Sequence, residues 1–287
     1  MASSNSMSSP SGKPALVLVA TPIGNMGDIS ARALEELGNA DSVACEDSRR
    51  TGALFAHFGL AHDPFLVCND HTETHAAGEI VRRVESGQRV VLVSDAGTPA
   101  VSDPGFRAVR AAIDAGVAVE VVPGPSAVLA AVSLSGFATD RFCFEGFLPR
   151  KGGERARRLK MLAIEERTSV LFESPRRLVS TLEDLVKTCG NERSVAIARE
   201  LTKTYEELWR GSLGDAAQHF ASNAAKGEIV IVVDGADARE FTDEELVALL
   251  QGQLNDGATP RDAVAAVVDQ TSTAKRRVYD LANQIAK

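Results

Sequence analysis

The sequence predicts two α/β domains, one on a parallel sheet and one on a mixed sheet, followed by a small helical module. Over residues 15–127, Val-rich runs alternate with amphipathic helical patterns, which is typical of a parallel sheet covered by helices on both faces. Over 128–236 several strand-like runs follow one another through short links, which indicates a mixed sheet. Residues 242–287 show helical periodicity alone. We expect residues 1–14, which are small and polar, to form a disordered leader.

The elements of the first domain are expected to alternate between strand and helix. The apolar runs of strand length are Ala15–Ala20, Ser42–Glu46, Val90–Ser94 and Val117–Val122. The helical patterns cover 29–37, 48–58, 75–86, 104–115 and 126–135. The expected caps are Asp28 or Ser30 for the first helix, Asp47 or Ser48 for the second, and Asp103, followed by Pro104, for the fourth.

The second domain and the module continue the chain. Strands are expected at Arg141–Phe147, Ser169–Glu173, Ser194–Glu200, Tyr205–Gly211 and Glu228–Val233, with helices near 153–166, 175–188 and 213–225. After a polar linker at 234–241, helices are expected at 242–251, 259–269 and 272–285. The last two resemble a helix-turn-helix.

The composition is that of a globular protein. Hydrophobic residues make up 44% and charged residues 24% of the 287, and no 18-residue apolar stretch occurs, so we expect no membrane span. The formal net charge of −8 argues against a protein coated in positive charge but leaves room for a local nucleic-acid surface. The four cysteines lie far apart without metal-ligand spacing, which favours a reducing cytoplasm and no bound metal.

The most informative segment is the loop Ser94–Gly105, which follows the apolar run Val90–Val93. It holds two aspartates, two glycines and two prolines, more than a simple turn requires. Since ligands of parallel α/β sheets bind just beyond the carboxyl ends of strands, we interpret residues 94–99 as a ligand site. The alternative is a plain connection, in which Asp103 and Pro104 merely begin the next helix.

The first strand runs into the turn Thr21–Asn25, where a dinucleotide-binding protein would carry a glycine-rich phosphate loop. Neither GxGxxG nor GxxxxGK[ST] is present, which argues against a nicotinamide, flavin or P-loop nucleotide. This turn is still compatible with an adenosyl ligand that carries no phosphates.

Charged side chains follow the second strand and precede the third helix. Glu46–Arg50 place two acids and two arginines at a carboxyl end, where the arginines are suited to phosphate. The alternative is that this segment only caps a helix. His71–Glu73 form a polar break before the next helix.

A basic stretch occupies residues 149–160, with six Lys or Arg against one Glu. Such a run is usually a solvated helix face, but in an acidic protein it favours a polyanion, with RNA the obvious candidate. The predicted RNA-binding residues are Arg150, Lys151, Arg155, Arg157, Arg158, Arg176, Arg177 and Lys203. Aromatic residues make up only 5%, which argues against base stacking as the main binding device.

Six motifs and the helical module follow one another along the chain: TPIGN (21–25), EDSRR (46–50), SDAGTPAVSDPG (94–105), PGPSA (123–127), FESPRR (172–177) and ARELTK (198–203). Together, over about 15–287, they resemble the tetrapyrrole methylase-like family of S-adenosylmethionine methyltransferases. The resemblance implies a bilobed α/β enzyme, usually a homodimer, with the cofactor between the lobes. Precorrin methylases carry a GxGPGD-like first turn, which this chain lacks, so the resemblance favours the branch that acts on ribosomal RNA. Three positions depart from the pattern of that branch. Ser48 stands where Thr is usual, and Thr72 stands within an expected HNE triplet. Arg176 replaces the His of an ESPHR motif.

The resemblance also implies roles for individual residues. The residues expected to bind S-adenosylmethionine are Thr21, Pro22, Ile23, Gly24, Asn25, Ser94, Asp95, Ala96, Gly97, Thr98, Pro99, Pro123, Ser126, Ala127, Phe172, Glu173, Ser174, Arg199 and Glu200. The implied reaction is 2′-O-methylation of a cytidine ribose in 16S rRNA of the small ribosomal subunit. The candidate bases are Glu46, Asp47 and Glu73, with Arg49 orienting RNA phosphate. Two rival interpretations are methylation of a small tetrapyrrole and non-enzymatic binding of nucleic acid through the last helices.

Overall fold

The computed structural model describes residues 12–62, 64–237, 241–271 and 273–285. The chain forms two compact units, Met1–Gly235 and Ala236–Lys287. The first unit holds two α/β lobes, each with its own five-stranded sheet. Most of the expected leader (1–11), part of the expected linker (238–240) and Ser272 lie outside the described residues.

The N-terminal lobe is built on a parallel sheet, which confirms the prediction from the alternating pattern. Its strands are β1 (Ala15–Val19), β2 (Ser42–Cys45), β3 (Leu66–Val67), β4 (Arg89–Val93) and β5 (Val119–Val122). Its helices are α1 (Ala31–Asn39), α2 (Ser48–Phe58), α3 (Glu73–Glu85) and α4 (Phe106–Asp114), with a short 3-10 helix at Met26–Asp28. The strand order is β3-β2-β4-β1-β5, and every pairing is parallel.

The three inner strands of the sheet, β1, β2 and β4, are buried on both faces, as their apolar runs indicate. On one face Val91 and Val93 pack with Phe55 of α2, and on the other Leu92 packs with Ile80 of α3. Because all strands are parallel, the segments that follow β1, β2, β4 and β5 leave from a single edge of the sheet. The motifs at 21–25, 46–50, 94–105 and 123–127 therefore meet at that edge.

The prediction that Asp103 caps α4 is wrong. The helix begins at Phe106, after Gly105 at φ +134°, and no neighbouring side chain caps it. Glu73 Oε1 instead accepts hydrogen bonds from the N–H groups of Gly105 and Arg107, at 2.8 and 3.0 Å. A carboxylate from α3 thus satisfies donors that a local cap would otherwise serve. Of the alternative N-caps expected for the first two helices, Ser30 caps α1 and Asp47 caps α2.

The C-terminal lobe carries the mixed sheet that the sequence predicts. Its strands are β6 (Phe142–Phe147), β7 (Thr168–Glu173), β8 (Ser194–Arg199), β9 (Glu207–Ser212) and β10 (Ile229–Val233), in the order β6-β7-β10-β8-β9. Only β6 and β7 pair in parallel. Helix α5 (Ala127–Ser135) contributes to the core on one face, and α6 (Gly153–Ile164), α7 (Leu178–Cys189) and α8 (Leu213–Ser222) to that on the other. The expected boundary between the two α/β domains, at residues 127/128, stays a prediction.

The second unit contains the helices α9 (Asp243–Asn255), α10 (Pro260–Thr271) and α11 (Lys275–Ile285). Thr242 and Glu245 form a capping box at the start of α9. The three helices share a small core that includes Leu250, Val267 and Val278. No helix in the described parts of the chain is long and apolar enough to cross a membrane.

Candidate active site

A cavity of about 410 Å³ lies between the two lobes of the first unit, and we call it the main cleft. The carboxyl edge of the parallel sheet forms one wall, and the end of β7 with the start of β10 forms the other. Its volume is within the roughly 300–1,000 Å³ of small-molecule sites. The lining residues are Ile23, Glu46, Arg50, Asp95, Ala96, Gly97, Thr98, Val101, Ser102, Asp103, Ser126, Ala127, Val128, Phe147, Phe172, Glu173, Ser174, Pro175, Gly227, Glu228, Ile229 and Val230.

The loops of this wall are tied to one another by backbone hydrogen bonds. Thr21 N–H donates to the Gly97 carbonyl at 2.9 Å, and Gly97 N–H donates back to the Thr21 carbonyl at 3.0 Å. Gly97 has φ +79°, a conformation that favours glycine. The Thr98 hydroxyl donates to the Pro125 carbonyl at 3.4 Å, so loops after β1, β4 and β5 form one continuous surface.

Two non-glycine residues of the loop 94–105 adopt left-handed backbone conformations. Ala100 has φ +68° and Ser102 has φ +62°, and Ser102 lines the main cleft. Each such residue costs of order 1–3 kcal/mol and persists only where the surroundings fix it, which is common at functional sites. The shape of this loop is therefore imposed by its contacts.

Three carboxyl groups at the carboxyl edge of the parallel sheet, those of Glu46, Asp95 and Asp103, line the main cleft. Burial raises the pKa of all three, and neighbouring carboxylates raise the pKa of Glu46 and Asp103 further. The pKa of Asp103 reaches about 6. Arg50, with Nε 3.4 Å from Asp95 Oδ2, is the one cationic side chain among the described lining residues. Acids with raised pKa in a cleft indicate a functional site.

Asp47 lies beside this cluster, but its pKa is lowered rather than raised. Its carboxylate accepts hydrogen bonds from Arg49 Nε at 3.1 Å and from the second guanidinium nitrogen at 2.7 Å. These bonds lower the pKa of Asp47 to about 2, which makes it a weak base. Its backbone N–H donates to Asp95 Oδ1 at 3.1 Å, so Asp47 helps to fix Asp95.

Glu73 and Arg49 do not line the main cleft. Glu73 is buried and binds the start of α4, and Arg107 Nε lies 3.5 Å from its second oxygen. Arg49 has a side chain that is 89% exposed. Of the three candidate bases, Glu46 alone reaches the cleft.

The wall from the C-terminal lobe is held by two carboxylates. Glu173 is 3% exposed, and it accepts hydrogen bonds from the Thr181 hydroxyl at 2.6 Å and from Ser174 N–H at 2.8 Å. Glu200 Oε1 accepts from Glu228 N–H at 2.8 Å and thereby fixes the turn that precedes β10. Gly227 in that turn has φ +85°, and a Cβ there would collide with the Glu200 carboxyl group.

The residues expected to bind the cofactor divide into three groups. Those in the wall of the main cleft are Ile23, Asp95, Ala96, Gly97, Thr98, Ser126, Ala127, Phe172, Glu173 and Ser174. Thr21, Pro22 and Ser94 line a second cavity of about 250 Å³ beneath the turn 21–25. Gly24, Asn25, Pro99, Pro123, Arg199 and Glu200 line neither. Arg199 instead pairs with Glu207 at 2.7 Å.

Sequence reasoning missed several lining residues. The sequence predicts Asp103 as a helix cap and limits the ligand site to residues 94–99; the available signal for Asp103 was its place in the same loop. Residues 227–230 carry no such signal, because only the antiparallel pairing of β10 with β7 brings them to the cleft. Phe147 reaches it through the parallel pairing of β6 with β7.

The prediction that Arg155 binds RNA is wrong. Its side chain is 10% exposed, and Nε donates to Asp184 at 3.0 Å while another nitrogen donates to the Pro149 carbonyl. Two further cations of the stretch are paired, Arg157 with Glu154 at 2.6 Å and Arg158 with Glu145 at 2.7 Å.

The other predicted RNA-binding residues differ in availability. Arg177 donates to the Leu148 carbonyl at 2.7 Å, and Lys203 pairs with Glu200 at 2.8 Å. Arg150, Lys151 and Arg176 are exposed and form no ion pair within the described part of the chain.

The main cleft suits a ligand that joins an apolar or aromatic group to a cation. Ile23, Val128 and Phe172 supply apolar surface, and the carboxyl cluster supplies negative charge. The N–H groups of Thr21 and Gly97 each donate to the other residue's carbonyl, so neither is free to bind phosphate. Among the described residues no three His, Cys, Asp or Glu side chains are arranged to hold a metal ion.

Comparison with known proteins assigns the family. Residues 15–217 match the tetrapyrrole (corrin/porphyrin) methylases. The chain is 43% identical to ribosomal RNA small subunit methyltransferase I of Synechocystis sp. over 94% of its own length and 98% of that protein. It is 44% identical to the protein of the same name from Mesorhizobium japonicum, over 94% of this chain and 92% of the relative.

Solved structures agree on the fold. The methyltransferase CobJ aligns with a TM-score of 0.59 at 20% identity, over 79% of this chain and 96% of that one. Uroporphyrin-III C-methyltransferase from Thermus thermophilus, complexed with S-adenosyl homocysteine, aligns with a TM-score of 0.54 at 20% identity, over 77% of this chain and 96% of that one. The match over residues 15–217 and the identity over nearly the whole chain lead to one assignment: the protein belongs to the tetrapyrrole methylase family and, within it, to the ribosomal RNA small subunit methyltransferase I proteins.

Proposed function

We propose that this protein transfers a methyl group from S-adenosylmethionine to the 2′-oxygen of a cytidine ribose in 16S rRNA. The observation that carries the proposal is the identity of about 43% with ribosomal RNA small subunit methyltransferase I proteins over almost the full chain. The acid-lined main cleft supports it, since its lining fits an adenosyl group joined to a sulfonium cation.

Individual residues of the main cleft are suited to such a cofactor. Ile23, Ala127 and Phe172 offer apolar surface to an adenine ring, and Asp95 with Glu46 offers negative charge to a sulfonium. Ser126 and Thr98 add hydroxyls in the same wall. When bound, the cofactor supplies an electrophilic methyl group without need of a metal.

The chain's own task is to position the acceptor and to take up its proton. As the new oxygen–carbon bond forms and the sulfur–carbon bond breaks, the 2′-hydroxyl proton needs an acceptor. We assign that role to the Glu46 carboxylate, because it lines the cleft and its raised pKa makes it a stronger base than an exposed carboxylate. Holding oxygen, methyl carbon and sulfur in line supplies much of the acceleration.

The test is transfer of tritium from methyl-labelled S-adenosylmethionine to three acceptors: 30S subunits, free 16S rRNA and a small tetrapyrrole. We expect label in rRNA, resistant to alkali at one dinucleotide, because a 2′-O-methyl group blocks hydrolysis of the adjacent phosphodiester. Label in the tetrapyrrole alone, or in no acceptor despite cofactor binding, would overturn the proposal.

We further propose that Arg150, Lys151 and Arg176 contact the RNA backbone, because their side chains are exposed and unpaired within the described residues. We also propose a homodimer that acts in the cytoplasm, as the family resemblance implies. Light scattering after size exclusion tests the dimer, which requires twice the 30.4 kDa of one chain. A mass of one chain at micromolar concentration contradicts it.

A further inference from the structure

A second cavity of about 250 Å³ adjoins the main cleft on the N-terminal lobe. It lies beneath the turn 21–25, against the first turns of α2, and Ser94 forms part of its wall. It is smaller than the roughly 300–1,000 Å³ of sites for whole cofactors or drug-sized ligands. A single nucleoside is the size of fragment that this space accepts.

The two cavities meet at one ion pair. Arg50 and Asp95 are the two residues that line both cavities, and Arg50 Nε lies 3.4 Å from Asp95 Oδ2. A ligand in each cavity would therefore approach the other across this pair. Methyl transfer requires that relationship, because donor and acceptor atoms must come to about 3–3.5 Å in line.

The lining of the second cavity matches the chemistry of a nucleotide. Pro22, Met26 and Leu54 present apolar surface of the kind that covers the face of a base. The hydroxyls of Thr21, Thr51 and Ser94 lie in the same wall, and these three residues are at most 3% exposed. The Thr21 and Ser94 hydroxyls donate to the carbonyls of Ser94 and Ala96, at 3.4 and 3.2 Å, so their oxygens are left to accept hydrogen bonds from the edge of a base.

Arg50 adds charge complementarity. Its side chain is 62% exposed although it lines both cavities, so the guanidinium is accessible to a phosphate from solvent. Arginine binds phosphate through paired, charge-assisted hydrogen bonds. Its present partner, Asp95, is shared with the backbone N–H of Asp47, so that carboxylate keeps a donor if Arg50 turns to phosphate.

We infer that the second cavity receives the target nucleoside, unstacked from single-stranded rRNA, with Arg50 on its phosphate and the ribose at the Arg50–Asp95 pair. Sequence-specific RNA recognition commonly uses such splayed-out bases. This inference rests on the proposed function, since it names the acceptor site for that reaction. It assigns positions 22, 26, 50 and 54 to the RNA rather than to the cofactor.

The experiment fills the cavity from an exposed position. Ala53 lines the second cavity but is exposed on α2, so Ala53→Phe inserts a ring without disturbing the core. The matched control is Ala56→Phe, an exposed alanine of the same helix that lines neither cavity. Binding of radiolabelled 16S rRNA and 30S subunits is measured by filter retention without cofactor, and binding of S-adenosylmethionine by calorimetry.

We expect Ala53→Phe to weaken RNA binding about fivefold or more, as loss of one base contact would, and to raise KM for RNA. Ala56→Phe should match wild type, and both variants should bind S-adenosylmethionine as wild type does. Equal RNA binding by the two variants, or selective loss of cofactor binding in Ala53→Phe, overturns the inference. If wild type binds RNA but transfers no methyl group, the proposed function fails, whereas weaker RNA binding by Ala53→Phe still supports the site.

Discussion

The Glu73 carboxylate lies 2.8 Å from the backbone nitrogen of Gly105, 32 positions away in the chain. This bond joins the start of α3 to the end of the loop 94–105, which lines the main cleft with residues from both of its halves. Glu73 therefore acts on the site by fixing this loop. Substitution of a residue with such a structural role should change stability, whereas substitution of a catalytic or binding residue should change turnover or affinity.

For Glu73 we expect a loss of stability rather than a specific loss of turnover. In Glu73→Gln the amide oxygen still accepts from both N–H groups, so methylation should stay within about twofold of wild type. In Glu73→Ala two donors lose their acceptor, which should lower the free energy of unfolding by about 1–3 kcal/mol. Urea unfolding and steady-state methylation check the pair. A catalytic base here would show a large fall of kcat in Glu73→Gln with unchanged stability.

For Glu46 we expect the reverse pattern. Glu46→Gln removes the proposed proton acceptor and should lower kcat for rRNA methylation about 100-fold, while affinity for S-adenosylmethionine falls by only a few-fold, because Asp95 and Asp103 still line the cleft. The control is Asp47→Asn, which keeps an N-cap residue and should keep most of the activity. Turnover of Glu46→Gln close to wild type would remove Glu46 from the mechanism.

For Asp103 we predict a pH-dependent effect on stability. Its pKa is raised to about 6 in the folded protein from a usual 3.8, so the folded state holds the proton more tightly than the unfolded state. By linkage, wild type loses stability as the pH rises from about 4 to 6. Asp103→Asn cannot ionise, so it should be more stable than wild type at pH 7.5, by on the order of 1 kcal/mol after allowance for solvent screening, with no such gain at pH 4. Thermal melts across this range test the sign, and a gain that grows toward acid contradicts it.

For the turn before β10 we predict a local defect in cofactor binding. Gly227→Ala strains a left-handed backbone and also pushes against the Glu200 carboxyl group, which should displace Glu228 and weaken S-adenosylmethionine about tenfold. Gly190→Ala is the control, because its φ of +89° imposes similar strain while no atom lies within 4 Å of the new Cβ. Calorimetry should show weak binding only in Gly227→Ala. Equal affinities would mean that this turn does not shape the cofactor site.

For the exposed cations we predict a change in salt dependence. Replacing Arg150 and Lys151 together by Ala should weaken rRNA binding and make the slope of log K against log salt shallower by about 1.4, as for two lost phosphate contacts on single-stranded RNA. Arg110→Ala, on the N-terminal lobe, is the control and should leave the slope unchanged. An unchanged slope in the double variant would exclude this surface from RNA contact.

Much of the fold could be predicted because its strands are buried on both faces. Runs such as Val90–Val93 and Val43–Cys45 are apolar throughout, a pattern typical of strands in parallel sheets. The strand β3 was missed because its two residues, Leu66 and Val67, are too few to show a period. The position of the site followed from the same rule, since the carboxyl ends of parallel strands share an edge.

The details of the site depend on contacts between distant residues. Asp103 resembles a helix cap in sequence, and only the bonds from Gly105 and Arg107 to Glu73 show that the cap comes from another helix. Arg155 belongs to a basic run, yet it is buried against Asp184 of α7. A one-dimensional pattern of charge cannot distinguish a cation that faces solvent from one paired with a neighbouring helix.

The acidic lining of the main cleft bears on product release. Glu46, Asp95 and Asp103 attract a cation but gain nothing from a neutral molecule of the same shape. In the proposed reaction the donor's positive charge is lost with its methyl group, so the spent cofactor is a thioether without that attraction. The same three carboxyls therefore favour the sulfonium donor over the thioether product, which assists exchange of the spent cofactor.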